Sequence, residues 1–155
     1  MSAADIDPTL LVELAQEHVA DWLISNHDSH GDNLMVGADG HVFSIDKGQA
    51  FKFFLNPDAP DELRYGYQPN ASYGSYTFYD TIYAAIIDHT LSEEQANKLA
   101  ERVIRRALVV ERRRDPETRA LFEQALANRP DNILYGQSVE EFVNALMDRK
   151  AHLGE

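Results

Sequence analysis

Residues 26–48 read Asn26-His27-Asp28-Ser29-His30-Gly31-Asp32-Asn33-Leu34-Met35-Val36-Gly37-Ala38-Asp39-Gly40-His41-Val42-Phe43-Ser44-Ile45-Asp46-Lys47-Gly48. The opening part, 26–33, is polar and lacks apolar periodicity, so it reads as a loop. Leu34-Met35-Val36 is a short apolar run, residues 37–40 form a Gly-containing turn, and His41-Val42-Phe43-Ser44-Ile45 is rich in β-formers. Together they predict a β-hairpin over 34–46. A hairpin brings its two ends together, so Asp46, at the end of the second strand, returns beside the loop that carries Asp28 and Asn33.

Working outward, Asp7-Pro8 reads as an N-cap followed by proline at the first helical position. Leu10, Leu11, Leu14, Val19, Trp22 and Leu23 then recur at helical spacing, predicting a helix over 8–25. Residues 47–77 form a long excursion punctuated by Gly48, Pro57, Pro60, Gly66, Pro69 and Gly74. Tyr65, Tyr67, Tyr73 and Tyr76 crowd its second half and are expected to pack it onto the helices; excursions of this length often carry function. Helices are expected at 78–89, 92–112, 116–128 and 138–151, with Ser138 and Glu141 spaced as a capping box and Pro116 and Pro130 marking breaks. Ile104 and Leu108 are expected in the core. The expected fold class is α+β, predominantly α-helical, with a short β-hairpin. The expected domain is single, 1–155: a loop at 26–33, the hairpin at 34–46, the long loop at 47–77 and a helical remainder at 78–155.

Composition narrows the function. Among 155 residues, 44% are hydrophobic, enough for a packed core. With 26 acidic against 14 basic residues the formal charge is -12, which repels phosphate backbones and argues against nucleic acid as a partner. Cysteine is absent, so disulfides, thiolate-ligated zinc, iron–sulfur clusters and thiol nucleophiles are excluded. No apolar run approaches the roughly 20 residues of a membrane span, and the first residues lack a signal-peptide pattern. The expectation is a soluble, cytoplasmic protein. Residues 1–46 contain Asp5, Asp7, Glu13, Glu17, Asp21, Asp28, Asp32, Asp39 and Asp46 but no Lys or Arg; the first cation is Lys47. Residues 98–119 are conversely Arg-rich, and Arg112–Arg114 fit a helix C-terminus.

Phosphoryl transfer needs a carboxylate to orient or deprotonate the attacking hydroxyl, and hard oxygen ligands to hold Mg²⁺ against a triphosphate. In kinases a loop carboxylate is followed five residues later by a metal-binding Asn, and a second carboxylate follows a hairpin. Asp28 and Asn33 have this separation, and Asp46 follows the hairpin. Choosing Asp32 as the loop carboxylate, by analogy of His30-Gly31-Asp32 with aminoglycoside-type phosphotransferases, would need Asn at position 37, which is Gly37.

The stretch 26–48 resembles the catalytic and metal-binding segment of the phosphatidylinositol 3-/4-kinase-like superfamily, with D-R-H-x-x-N, a hairpin and I-D-F-G, and the related HipA-like atypical kinases. The resemblance covers about residues 15–48; the downstream helices agree only in kind with a kinase C-lobe. It implies an ATP- and Mg²⁺- (or Mn²⁺-) dependent phosphotransferase. Asp28 would be the catalytic aspartate and His30 the loop histidine that positions it. Asn33 and Asp46 would be the metal ligands. Lys47, where the family has Phe, is a candidate phosphate contact, and Ser29 replaces the usual Arg. The residues ahead of the segment are too few to form a β-rich N-lobe with a phosphate-covering loop, and they hold no Lys. The expectation is a C-lobe whose other lobe comes from a longer chain or a partner chain, with a free-standing relic or minimal kinase as the third alternative. The motif leaves the hydroxyl acceptor open among protein, lipid and small molecule.

Two other readings are weighed. One is a non-catalytic, pseudokinase-like module binding nucleotide or a partner. The other is a metallophosphoesterase, suggested by the His and Asp residues of 26–32, which would need further His/Asp clusters after separate strands. His27 is expected to be an exposed loop residue, and Asp32 to face solvent.

Overall fold

The computed structural model describes residues 6–51, 53–58, 77–127 and 134–154. The fold is α+β and mostly helical. Helix α1 (Pro8–Leu23) starts where expected: the Asp7 carboxylate accepts from the Thr9 and Leu10 amides at 2.9 and 3.2 Å, and Pro8 occupies the first turn. It ends two residues before the expected position, because Ser25 adopts a left-handed φ of 48° and turns the chain out of the helix. A short 3₁₀ turn over Gly31–Asn33 leads into β1 (Leu34–Val36), which pairs antiparallel with β2 (Val42–Ser44) in the register Leu34↔Ser44, Met35↔Phe43, Val36↔Val42. The hairpin is closed by Gly40 at φ 82°, a conformation that glycine adopts without Cβ strain.

Four further helices follow: α2 (Phe78–Ile87), α3 (Glu93–Glu111), α4 (Asp115–Leu126) and α5 (Val139–Ala151). The capping box expected at Ser138 and Glu141 is present on α5, and Thr77 with Asp80 and Ser92 with Gln95 cap α2 and α3 in the same way. Pro116 sits in the first turn of α4.

Helix α1 lies between two apolar clusters. Its N-terminal half packs Leu11, Leu14 and Ala15 against Ile82 and Ala85 of α2 and Leu99 of α3. Its C-terminal end contributes Leu23 to a cluster of Phe51, Phe54, Phe122, Leu126, Phe142, Val143 and Leu146. Phe142 receives both Phe51 and Phe54 edge-on, with ring centroids 6.2 and 5.2 Å away. Each such fully buried side chain contributes about 1.5–3 kcal/mol.

Two cations of α5 are buried at helix ends. The Arg149 side chain is 0% exposed; its Nε donates to the Trp22 carbonyl at 2.8 Å, and its guanidinium lies 4.1 Å from the Trp22 ring centroid. Lys150 Nζ donates to the Glu111 carbonyl at 2.6 Å and to the Asp115 carboxylate at 2.8 Å. α5 thus brings a buried cation to the C-terminal carbonyls of α1 and of α3, and Arg112 to Arg114 follow the end of α3 directly, as expected.

Two expectations are corrected. Ile104 is 56% exposed rather than core, because the inward stripe of α3 runs through Leu99, Val103 and Ala107, one position away from it; Leu108 is half-buried. His27 is 3% exposed rather than on the surface: its Nε2 lies 3.1 Å from Ser25 Oγ and its ring meets Phe53 edge-on at 5.0 Å. Of the expected excursion 47–77, residues 59–76, including Tyr65, Tyr67, Tyr73 and Tyr76, lie outside the described residues. Among the described residues no helix is long and apolar enough to cross a membrane.

Candidate functional site

The polar loop after α1 is built around Asp21, which is 0% exposed. A buried carboxylate needs donors to remain charged. Asn26 Nδ2 donates to its Oδ1 at 3.1 Å, and the hydroxyls of Ser29 and Tyr79 each donate to its Oδ2 at 2.5 Å. Lys47 Nζ completes the set as an ion pair with Oδ1. Asn26 Nδ2 also reaches Ser29 Oγ at 3.1 Å, so the loop is cross-braced on either side of Asp28. Asp21 carries a signal in the sequence itself. It stands seven residues after Leu14, on the buried stripe of α1, where an apolar residue would be expected.

Asp28 and His30 flank the buried Ser29. His30 Nε2 lies 3.3 Å from Asp28 Oδ1, with both side chains partly exposed. His30 Nδ1 is 4.0 Å from the Asp32 carboxylate, which is fully exposed as expected. Asn33 is buried, and its Nδ2 donates to the Asp28 carbonyl at 2.8 Å, so the side-chain amide closes the loop on itself. With that nitrogen engaged, the oxygen is the amide atom suited to a cation.

The hairpin then does what its topology requires. The Ile45 amide donates to the Asn33 carbonyl at 2.8 Å, extending the ladder past β2 and setting the residue before Asp46 against the loop. Asp46 has a left-handed φ of 50°, which an Asp tolerates better than most residues but which still costs about 1 kcal/mol. Its Oδ1 accepts from the Gly48 amide at 3.3 Å, and the residue is exposed. The next residue, Lys47, turns inward to Asp21, a partner that the sequence reading does not supply. Asp28, His30, Asn33, Asp46 and Lys47 are thus brought to one end of α1 and the hairpin.

The donors are hard oxygens, an amide and a carboxylate, with a second carboxylate at Asp28. That set suits Mg²⁺, which takes one or two protein carboxylates and completes its shell with phosphate and water. Among the described residues no three His, Asp or Glu side chains cluster as a metal cage.

The hairpin has two different faces. Leu34 and Val42 pack toward the α1–α2–α3 cluster, whereas Met35, Phe43 and Ile45 are between 40% and 55% exposed. These three form an apolar strip that ends at Asp46. Behind the site, His18 stacks on Tyr79 with centroids 4.3 Å apart and bonds through Nδ1 to the Tyr83 hydroxyl. Burial holds the His18 imidazole below its ordinary range, and the Asp21 and Asp80 charges oppose that shift. Burial likewise raises the Glu17 carboxyl, against the opposing charge of Lys47. Two apolar cavities of about 300 and 250 Å³ open along α1 and α3, and none of the five site residues lines either of them.

Comparison of the chain with models of known protein families, with curated proteins and with solved structures finds no match.

Proposed function

We propose that this chain is the C-lobe-like catalytic segment of an ATP-dependent phosphotransferase of the phosphatidylinositol 3-/4-kinase-like or HipA-like kind. The observation that carries the reading is the hydrogen bond from the Ile45 amide to the Asn33 carbonyl, which seats the hairpin exit bearing Asp46 beside the loop bearing Asp28. Asp28 orients the acceptor hydroxyl and takes its proton, with His30 at 3.3 Å steadying the carboxylate. The Asn33 amide oxygen and the Asp46 carboxylate hold Mg²⁺ or Mn²⁺. When bound, that cation neutralises charge on the transferring γ-phosphoryl group. Lys47, paired with Asp21, anchors the residue that precedes it. The exposed strip of Met35, Phe43 and Ile45 supports a second lobe covering the hairpin, from a longer chain or a partner.

The test is an ATP titration with and without Mg²⁺ or Mn²⁺, followed by an assay of γ-phosphoryl transfer. Metal-dependent binding lost in Asp46→Ala is expected. Binding indifferent to metal, or unchanged in Asp46→Ala, overturns the reading. The alternative of a nucleotide- or partner-binding module without turnover draws support from the Lys47–Asp21 pair, which engages the Lys47 ammonium with a buried carboxylate. Metal-dependent binding with no transfer to any acceptor, second lobe included, selects that alternative. Phosphoester hydrolysis that survives Asn33→Ala selects a metallophosphoesterase.

A further inference from the structure

The four donors on Asp21 come from three separate parts of the chain. Asn26 and Ser29 belong to the loop that carries Asp28; Lys47 directly follows Asp46; Tyr79 lies in the first turn of α2. Lys47 and Tyr79 are also the two ends of the long excursion, one at its start and one just past its finish. The second end is fastened again by the Phe78 amide, which donates to the Ser29 carbonyl at 3.0 Å. Burial alone does not call for this arrangement. Position 21 lies on the inward stripe of α1, where an apolar residue would pack without needing donors. What a carboxylate adds there is direction, since each hydrogen bond to it fixes the donor's place.

We infer that Asp21 is a positioning residue that ties the Asp28 loop, the Asp46-bearing hairpin exit and the start of α2 into one unit. It touches no reacting atom; it acts through Ser29, Lys47 and Tyr79. Its catalytic meaning rests on the phosphotransferase reading above, whereas the tie itself can be measured without that reading. Through Lys47 it sets where Asp46 stands relative to Asn33. Through Tyr79 it sets where the chain re-enters the helical core after the excursion.

The test uses the full chain and the variants Tyr79→Phe, Lys47→Met and Asp21→Asn, read by amide hydrogen exchange and by steady-state kinetics with Mg²⁺-ATP. Each lost bond to the carboxylate should speed exchange about tenfold. Measured as the excess over the common change that any loss of global stability gives α4 and α5, this falls in Tyr79→Phe on residues 27–33 and 77–80, in Lys47→Met on 44–50, and in Asp21→Asn on all three. In kinetics the variants should separate. Tyr79→Phe lowers kcat about tenfold and leaves the KM for ATP within about twofold, whereas Lys47→Met raises that KM about tenfold. A residue that merely stabilised the domain would not split the two constants. Exchange at 44–50 unaltered in a folded Asp21→Asn protein overturns the inference, as does loosening spread evenly over all helices in every variant. If Asp21→Asn does not fold, Tyr79→Phe and Lys47→Met carry the same decision. If the wild-type chain neither binds nor uses Mg²⁺-ATP but exchange follows the stated pattern, the phosphotransferase reading falls and the tie stands.

Discussion

Replacing Lys47 by Met removes the charge that faces Asp21 and keeps most of the aliphatic stem. Asp21 is 0% exposed and would retain only the neutral donors Asn26, Ser29 and Tyr79. Removing one partner of a fully buried pair costs about 3–5 kcal/mol, mostly because the other charge is left uncompensated. Lys47 is itself 28% exposed, so water already screens part of the attraction, and the expected loss is about 2 kcal/mol. For a domain of this size that lowers Tm by roughly 4–8 °C. Urea unfolding should show the midpoint falling with m unchanged, since the surface exposed on unfolding is nearly the same. In an Asp21→Asn background the same substitution should cost much less, giving a coupling of about 1–2 kcal/mol. A Lys47→Met protein within about 0.5 kcal/mol of wild type would refute the reasoning, because the pair would then contribute nothing to the fold.

Three further outcomes are expected. Glu17→Gln should stabilise the protein at pH 7: burial raises the folded carboxyl above its ordinary 4.5, so wild-type stability falls as pH rises through the folded value, and the advantage of Gln should vanish below about pH 4.5 in paired unfolding curves. Leu146→Ala removes a side chain with 0% exposure from the Phe51–Phe142 cluster and should cost about 2–5 kcal/mol in urea unfolding. Ser138→Ala removes the acceptor for the Glu141 amide and should cost about 1 kcal/mol, measurable as a lower thermal midpoint.

Much of the fold was legible because it is locally encoded. Asp7-Pro8, the Ser138–Glu141 box and the hairpin turn act within a few residues, so their sequence spacing already contains their geometry. The same holds for the separation of Asp28 and Asn33, which the structure brings into direct contact through the Asn33 amide and the Asp28 carbonyl. Sequence spacing carries no such information where the outcome depends on which helix face meets which neighbour. Ile104 has the residue type of a core position but falls beside the stripe that meets α1, and His27 is a polar loop residue that packs against Phe53. Arg149 and Lys150 are buried against the carbonyl ends of α1 and α3, a placement that likewise depends on which helices pack together.

The sequence by itself determined the order of elements, the caps that start them, and the hairpin that returns Asp46 to the loop of Asp28 and Asn33. These follow from backbone preferences and hydrogen bonds spanning a handful of residues. Only the tertiary structure decided the partner of Lys47, 26 positions away, and that of Tyr79, 58 positions away. Both meet at Asp21 because a carboxylate sealed inside the core draws donors from whichever segments packing brings within reach, and sequence spacing carries no record of that reach.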